Sequence, residues 1–370
     1  MCKKIFIAAT GQHCGKTTIS LSLMHLARRK YQRVGFIKPI GPKCIEYNGL
    51  IMDMDAAMMS RVFDLDSDAR LMSPLTLTAG ATRRFLDGEI AADYPRQTIA
   101  DAIRELEKKN DFLIIEGAGH GGVGSVVGMN NAAVAALAEA PVLMVTGGGI
   151  GSVIDAVELN LALYKETGAD VRYLMVNKLV PGKRERSLAY LDKAFAGKGI
   201  MVTSAFDFSP ILAHPTLQHV ADLLKLPLMG DQSQRSRICH TIQLGAASSQ
   251  RVIDHLEDST LLIVTSSRDE LIVTASSLHN IPDFHERLAG LIVCGHAPMS
   301  RITQQILEDS RIPHIRIEET SSDVFSLLRE HVSKIGPEDT EKIALINSMA
   351  EQYIDFERID ALLPSAGMVS

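Results

Sequence analysis

The sequence has only five cysteines, an odd number, and none of them forms a C-x-x-C pair. This scarcity argues against a disulfide framework or a zinc ribbon and favours a reducing compartment. No apolar run approaches the ~20 residues that a membrane-spanning helix requires. The net charge is only −6, so nothing indicates a general nucleic-acid binder or a membrane-surface protein. The short apolar stretch at the N-terminus fits a first strand better than a signal peptide, and we expect a soluble, cytoplasmic protein.

The length of the chain favours more than one domain, because 370 residues exceed what one ordinary core accommodates. Strand-like and helix-like patterns alternate through residues 1–225, which predicts an α/β domain with a parallel sheet and helices on both faces. A polar, proline-containing segment at 226–236 is typical of a linker. A shorter alternation predicts a second, smaller α/β domain at 237–360, followed by a disordered tail at 361–370.

The segment ATGQHCGKTT lies between the first predicted strand and the first predicted helix. Its G-K-T ending is typical of a loop that holds nucleotide phosphates, although the standard pattern needs glycine at position 10, where Thr10 stands. Backbone N–H groups at such a helix start bind phosphate oxygens, while Lys16 would reach the phosphates of ATP and Thr17 would bind Mg²⁺. The predicted nucleotide contacts of this loop are Gly11, Cys14, Gly15, Lys16, Thr17 and Thr18.

Further polar residues follow predicted strands, at the sheet edge where ligands bind in such folds. Lys38 ends the second strand and is either a ligand-binding or a solvated lysine. Asp53 and Asp55 either cap the helix that follows them or bind Mg²⁺, which prefers one or two carboxylates. Glu116 ends the third strand, where a buried acid is costly without a task. Asn177 either contacts a purine or caps a turn.

Three other features have competing interpretations. The segment GAGHGG at 117–122 satisfies G-x-G-x-x-G, but no helix is predicted to start promptly after it, which disfavours dinucleotide binding. Cys294 near His296 resembles a nucleophile with a base, yet no complete glutaminase set can be assembled, so a strand-end cysteine is favoured. Arg83 and Arg84 either hold an anionic substrate or are surface charges.

Taken in order, five segments resemble the successive landmarks of the dethiobiotin synthetase-like P-loop family over roughly residues 1–225. They are TGQHCGKTT, GFIKPIG, MDMDAAMM, DFLIIEGAGH and VNK. Members of this family vary the spacing ahead of G-K-[ST], which accounts for Thr10. The family shares the fold of ATP-dependent amidoligases, including cobyrinic acid a,c-diamide synthase, and forms an N-terminal domain in long bacterial phosphotransacetylases. The resemblance implies a P-loop NTPase-type parallel sheet that binds ATP and Mg²⁺.

The resemblance also implies the metal and phosphate ligands. Lys16 would contact the ATP phosphates and Thr17 the Mg²⁺, with Asp55 and Glu116 as the metal carboxylates. Asp55 is preferred to Asp53 because its distance downstream of Lys38 fits the family.

The family reaction phosphorylates a carboxylate or carbamate, after which an amine displaces the phosphate to form an amide or a ring. Lys38 would neutralise the γ-phosphate and the substrate, so the resemblance implies that Lys16 and Lys38 are the catalytic residues. Asn177 would bind adenine. Such chemistry relies mainly on positioning and charge neutralisation.

The second domain resembles the DRTGG domain, which follows this P-loop module in the phosphotransacetylase type. The resembling segments are LLIVTSSRDELIVTAS at 261–276 and AGLIVCGHAPMSRITQQILEDSRIPHIRI at 289–317. Where the family reads Asp-Arg this chain has Ser267-Arg268, and its Thr-Gly-Gly is replaced by residues 294–296, so no ligand site is assigned to this domain. The phosphotransacetylase catalytic domain does not follow, and acetyl transfer is not expected.

Three interpretations of function remain at this point. The first is an ATP-dependent ligase of the dethiobiotin type, and the second is an ATP-sensing regulator that uses the same fold without ligase chemistry. A nicotinamide or flavin enzyme is a distant third. The expected partner is a small-molecule substrate or effector, with no nucleic acid and no membrane, and the family implies a homodimer.

Overall fold

The structure is a computed structural model that describes residues 2–331 and 334–364. The chain divides into two compact units by the contacts among its residues. The first unit comprises Met1–Phe208 together with Ile343–Ser370, and the second comprises Ser209–Lys342. Each unit contains its own parallel sheet.

The strands alternate with helices along most of the chain, as the sequence pattern predicts. The described strands are β1 (Lys3–Ala9), β2 (Val34–Ile37), β3 (Ile40–Gly41), β4 (Cys44–Tyr47), β5 (Leu50–Asp53), β6 (Leu75–Thr76), β7 (Phe112–Glu116), β8 (Val142–Gly147), β9 (Val171–Leu179), β10 (Met201–Asp207), β11 (Thr241–Leu244), β12 (Thr260–Thr265), β13 (Leu288–Cys294) and β14 (His314–Ile317).

Helices cover most of the connections between these strands. The described α-helices are α1 (Lys16–Arg28), α2 (Met54–Phe63), α3 (Ala69–Met72), α4 (Ala81–Leu86), α5 (Tyr94–Lys109), α6 (Asn131–Leu137), α7 (Ile150–Thr167), α8 (Arg184–Phe195), α9 (Pro210–Ala213), α10 (Leu217–Leu224), α11 (Ser249–Asp254), α12 (Asp269–His279), α13 (Pro282–Arg287), α14 (Arg301–Asp309), α15 (Ser321–Glu330), α16 (Thr340–Tyr353) and α17 (Phe356–Ala361). No helix among the described residues is long and apolar enough to cross a membrane.

The sheet of the first unit has six strands in the order β10-β9-β8-β1-β7-β2, and every neighbouring pair is parallel. β7, with the sequence FLIIE, is buried along its whole length, because helices cover both faces of a parallel sheet. The chain runs from β1 to the edge strand β2 and later continues on the other side of β1 with β8. Ligands bind at the carboxyl ends of the strands near such a reversal. The predicted fold class is confirmed.

The C-terminal segment packs on the first unit, although the predicted second domain extends to residue 360. The ring of Phe356 lies 5.6 Å from that of Phe112, and the hydroxyl of Tyr173 donates a hydrogen bond to the Ile359 carbonyl over 3.2 Å. Asp360 accepts a hydrogen bond from Tyr31 over 2.6 Å. These contacts assign α17 to the first unit. Residues 365–370 of the predicted tail lie outside the described residues.

The second unit has a four-stranded parallel sheet in the order β11-β12-β13-β14. One face of this sheet packs against α10, where Leu217 and Val220 share a buried cluster with Leu261 and Ile263. This packing explains why residues 209–225, which the sequence assigns to the first domain, belong to the second unit.

Candidate functional site

The phosphate loop connects β1 to α1, as its sequence predicts. Gly15 precedes α1 with a φ of +93°, a left-handed conformation that favours glycine. A Cβ atom at Gly15 would lie 2.0 Å from Nδ2 of Asn177, so no larger residue fits there without displacing Asn177. By contrast, a Cβ atom at Gly11 would meet only Sγ of Cys14, at 3.6 Å. Packing therefore requires glycine at position 15 but not at position 11.

Thr10, which replaces the glycine of the standard pattern, ties the loop to β8. Its backbone N–H donates to the Val145 carbonyl over 3.0 Å, and its hydroxyl donates to the Thr146 hydroxyl over 3.0 Å. The Thr10 side chain thus gives the loop an anchor that a glycine would lack.

The end of β9 supports the loop from the other side. The Asn177 amide donates to the Cys14 carbonyl over 2.9 Å, and the Lys178 ammonium donates to the His13 carbonyl over 2.8 Å. Lys178 has a φ of +61° and His13 a φ of +57°, a conformation that is uncommon for non-glycine residues. The structure therefore places Asn177 beneath the phosphate loop, and its contact with adenine stays a prediction.

Lys16, at the start of α1, is almost completely buried and donates a hydrogen bond to the Gly119 carbonyl. Burial lowers the pKa of its ammonium group, and the nearby Lys38 lowers it further, while Glu116 opposes both. Thr18 is also buried, and its carbonyl accepts a hydrogen bond from the Ser22 hydroxyl over 2.9 Å. The loop thus brings Lys16 to the carboxyl edge of the sheet.

The glycine-rich segment 117–122 is held by Asn131, a residue that the sequence reasoning missed. The side-chain oxygen of Asn131 accepts from the Ala118 N–H over 2.9 Å, and its amide donates to the carbonyls of Ala118 and His120 over 2.6 and 2.7 Å. α6 begins only at Asn131, which agrees with the argument against dinucleotide binding. This clamp fixes the loop that presents the Gly119 carbonyl to Lys16.

Lys38 lies between the two carboxylates that the family resemblance implies as metal ligands. Its ammonium group is 2.7 Å from Oδ2 of Asp55 and 2.6 Å from Oε1 of Glu116. Burial opposes the charge of Lys38, but Glu116, Asp55 and Asp53 outweigh burial and raise the pKa of this ammonium group. The Thr17 hydroxyl donates to the same Oε1 of Glu116 over 3.4 Å. The structure thus brings Thr17, Lys38, Asp55 and Glu116 together.

Asp53 has a different task from Asp55. Its carboxylate accepts hydrogen bonds from the backbone N–H of Asp55 over 2.9 Å and of Lys43 over 3.3 Å, so it caps the start of α2. Burial raises the pKa of Asp53 to about 6. The two aspartates that the sequence left as alternatives are therefore a cap and an ion-pair partner of Lys38.

The carboxylate of Glu116 fits a metal ion. Its Oε2 is completely buried and has no hydrogen-bond partner among the described residues, which is costly for a carboxylate. Within residues 2–331 and 334–364, no group of three or more His, Cys, Asp or Glu is placed to hold a metal ion. Mg²⁺ bound through one or two carboxylates takes its other ligands from hydroxyls, phosphates and water, and the Thr17 hydroxyl lies beside Glu116.

The remaining sequence candidates lie apart from this constellation. Arg83 and Arg84 are exposed, and Arg84 pairs with Glu89 over 3.1 Å, which agrees with surface charges. Cys294 is the buried last residue of β13, and burial raises the pKa of its thiol to about 11, so it is a poor nucleophile. His296 is exposed.

Comparisons with known protein families agree with the two-part organisation. A family model described as an AAA domain matches residues 3–230, and a model described as a DRTGG domain matches residues 220–331. The resemblance drawn from the sequence motifs is thereby confirmed.

The chain is also similar to individual proteins. It is 24% identical over 372 aligned positions to a phosphate acetyltransferase of Pseudomonas aeruginosa, covering 95% of this chain and 51% of that protein. It is 26% identical over 167 positions to the ATP-dependent dethiobiotin synthetase BioD of Idiomarina loihiensis, covering 45% of this chain and 75% of that one. The septum site-determining protein MinD of Pyrococcus horikoshii, solved with Mg-ADP, aligns with a TM-score of 0.36 and 16% identity over 57% of this chain and 84% of that one. The chain thus spans about half the length of the phosphate acetyltransferase.

Proposed function

The chain belongs to the AAA domain family, whose model matches residues 3–230, and from this premise we propose that its first unit binds ATP together with Mg²⁺. The domain is of the P-loop NTPase type and is related to dethiobiotin synthetase and to the N-terminal part of phosphate acetyltransferases. The observation that carries the proposal is the cluster at the end of the phosphate loop. There Lys16 and Thr17 lie beside Glu116, a buried carboxylate with an unpartnered oxygen.

Each residue of this cluster has a task in the proposed complex. The N–H groups at the start of α1 and the Lys16 ammonium bind phosphate oxygens. Thr17, Asp55 and Glu116 hold Mg²⁺, which when bound neutralises phosphate charge. Asn177 lies beneath the loop, and we propose that it contacts adenine through the part of its side-chain amide that does not donate to the Cys14 carbonyl.

A role as an ATP-sensing regulator without ligase chemistry is the function that we favour for the complete chain. The alignment with a phosphate acetyltransferase extends over 95% of this chain and so includes both units, whereas the alignment with dethiobiotin synthetase covers 45%. The exposure of Arg83 and Arg84 also leaves the expected substrate segment without a buried anion-binding group. We propose that the second unit binds a small-molecule effector.

An ATP-dependent ligase is the second candidate, and Lys38 is the observation that favours it. A ligase needs a cation beyond the phosphate loop, and Lys38 is a further buried lysine beside Asp55 and Glu116. Lys38 is positioned to neutralise charge on a transferring phosphoryl group, which is how such reactions are accelerated.

Phosphate release distinguishes the two candidates. We would follow it with Mg²⁺ and ATP, with and without 7,8-diaminopelargonate and bicarbonate, in wild type and Lys38→Met. Release that is slow and indifferent to these substrates in both proteins supports the sensor. Release that the substrates stimulate only in wild type establishes the ligase. An exposed-site variant, Lys43→Met, serves as the matched control.

Two further properties are proposed. The first is homodimerisation, which rests on the family alone, and a monomer by light scattering across micromolar concentrations would contradict it. The second is a cytoplasmic location, which rests on the five cysteines, an odd number without a C-x-x-C pair.

A further inference from the structure

The nucleotide site already contains a cation of its own, the ammonium group of Lys38. It is 2.6–2.7 Å from one oxygen of Glu116 and one of Asp55, and only 3% of Lys38 is exposed. The positive charge of Lys38 and the negative charges of Asp55 and Glu116 therefore hold these three buried or nearly buried groups in place. A buried carboxylate without such a partner would be costly.

A metal ion at these carboxylates would lie close to the Lys38 ammonium. The repulsion between a divalent ion and a lysine a few ångströms away is strong where water is excluded. Oε2 of Glu116 is buried and has no hydrogen-bond partner among the described residues, while the lysine contacts the other oxygen of the same carboxylate, so a metal ion at Oε2 would compete with the lysine for this negative charge. The site in this state is therefore poorly suited to bind Mg²⁺ alone.

Nucleotide phosphates change this balance. They bring negative charge to the start of α1, where they attract both the metal ion and the lysine. We propose that Lys38 is an internal counter-cation, which keeps a divalent metal ion off Asp55 and Glu116 until a nucleoside triphosphate is present. This inference rests on the proposed function, and it adds that the metal ion and the nucleotide bind as a unit.

Mn²⁺ binding measured by electron paramagnetic resonance tests the inference without any activity assay. Without nucleotide, we expect Lys38→Met and Lys38→Gln to bind Mn²⁺ at least about tenfold more tightly than wild type, because the repulsion is gone. The gain should disappear in Lys38→Met combined with Glu116→Gln, which shows that the ion occupies this site. Lys43→Met, a change of an exposed neighbouring lysine, should behave as wild type.

Two results would overturn the inference. One is wild type that binds Mn²⁺ alone as tightly as the Lys38 variants do. The other is a wild-type protein that binds a non-hydrolysable ATP analogue without any change in its Mn²⁺ affinity. This second test needs no variant, so it remains valid even if circular dichroism shows that the Lys38 variants are unfolded. Failure of wild type to bind the analogue at all would instead refute the proposed function, and the Mn²⁺ comparison without nucleotide would still decide the role of Lys38.

Discussion

Replacing Asn131 with alanine tests the clamp on the glycine-rich loop. The side chain makes three hydrogen bonds with the backbone of Ala118 and His120, and only 2% of Asn131 is exposed. Asn131→Ala removes all three bonds and leaves the buried N–H of Ala118 without its partner. The same change loosens the loop whose Gly119 carbonyl accepts the hydrogen bond from Lys16.

The magnitude follows from these contacts. At about 1 kcal/mol for each hydrogen bond, the free energy of unfolding of the first unit should fall by about 3 kcal/mol. ATP affinity should fall roughly fivefold, because the loop that positions Lys16 is less well ordered before binding. Unfolding in urea is followed by far-ultraviolet circular dichroism, since the chain has no tryptophan, and nucleotide affinity by a fluorescent ATP analogue.

The neighbouring residue supplies a matched control. Asn130 caps α6 through one hydrogen bond from the Ala133 N–H over 2.9 Å, so Asn130→Ala should cost only about 1 kcal/mol and leave ATP affinity unchanged. Equal losses of stability in the two variants, or unchanged ATP affinity in Asn131→Ala, would refute the clamp.

Three further changes should alter stability in ways that titration or denaturation can measure. The pKa of Asp53 is raised from 3.8 to about 6. Its contribution to the free energy of unfolding is therefore complete below pH 3.8 and is lost as pH rises through 6. Asp53→Asn keeps an acceptor for the Asp55 N–H but sets an amide NH₂ against the Lys43 N–H. Between pH 5 and 7.5, the free energy of unfolding of this variant in urea should fall by about 1 kcal/mol less than that of wild type. The pKa of His279 is lowered from 6.5 to about 4 by burial and by His285, so its contribution is lost as pH falls from 6.5 towards 4. His279→Phe should remove up to about 3 kcal/mol of that acid sensitivity from the second unit, and an unchanged pH profile would contradict this. Asp360→Asn, which loses ion pairs with Lys3 and Lys30, should lower the thermal stability of the first unit by about 2 kcal/mol. A melting temperature equal to that of wild type would show that the C-terminal segment is not anchored there.

The main sheet and the core of the site could be predicted because both depend on local patterns and one general rule. Continuous apolar runs such as FLIIE identify strands that helices cover on both faces. Glu116 ends one such strand and Lys38 directly follows another, and the carboxyl ends of parallel strands meet at one edge. That rule brings both residues to the same edge of the sheet, where the structure places their charged groups 2.6 Å apart.

What the sequence did not reveal depends on contacts between distant residues. Asn131 contacts Ala118, 13 residues earlier, and Asn177 contacts a carbonyl 163 residues away, so no local pattern indicates either contact. Asp360 of α17 contacts Tyr31, which lies 329 residues earlier in the chain, so this packing also lacks a local signal.

One missed element did have a local signal. Asn48-Gly49, with φ values of +49° and +73°, joins β4 to β5 in an antiparallel hairpin, and this dipeptide is a strong hairpin signal. The strands it joins are only four residues long each. Because they are so short, their pattern is weaker than that of α2, the helix that follows them.

Isothermal titration calorimetry of ATP with Mg²⁺ into wild type and Lys16→Ala tests the central claim most directly. We predict that wild type binds one ATP per chain and that Lys16→Ala weakens binding roughly 30-fold or more, because a buried charged hydrogen-bond donor to the phosphates is lost. The exposed-site variant Lys43→Ala should bind as wild type does. ATP binding that is unaffected by Lys16→Ala, or no ATP binding by wild type, would contradict the assignment of the phosphate loop as the nucleotide site.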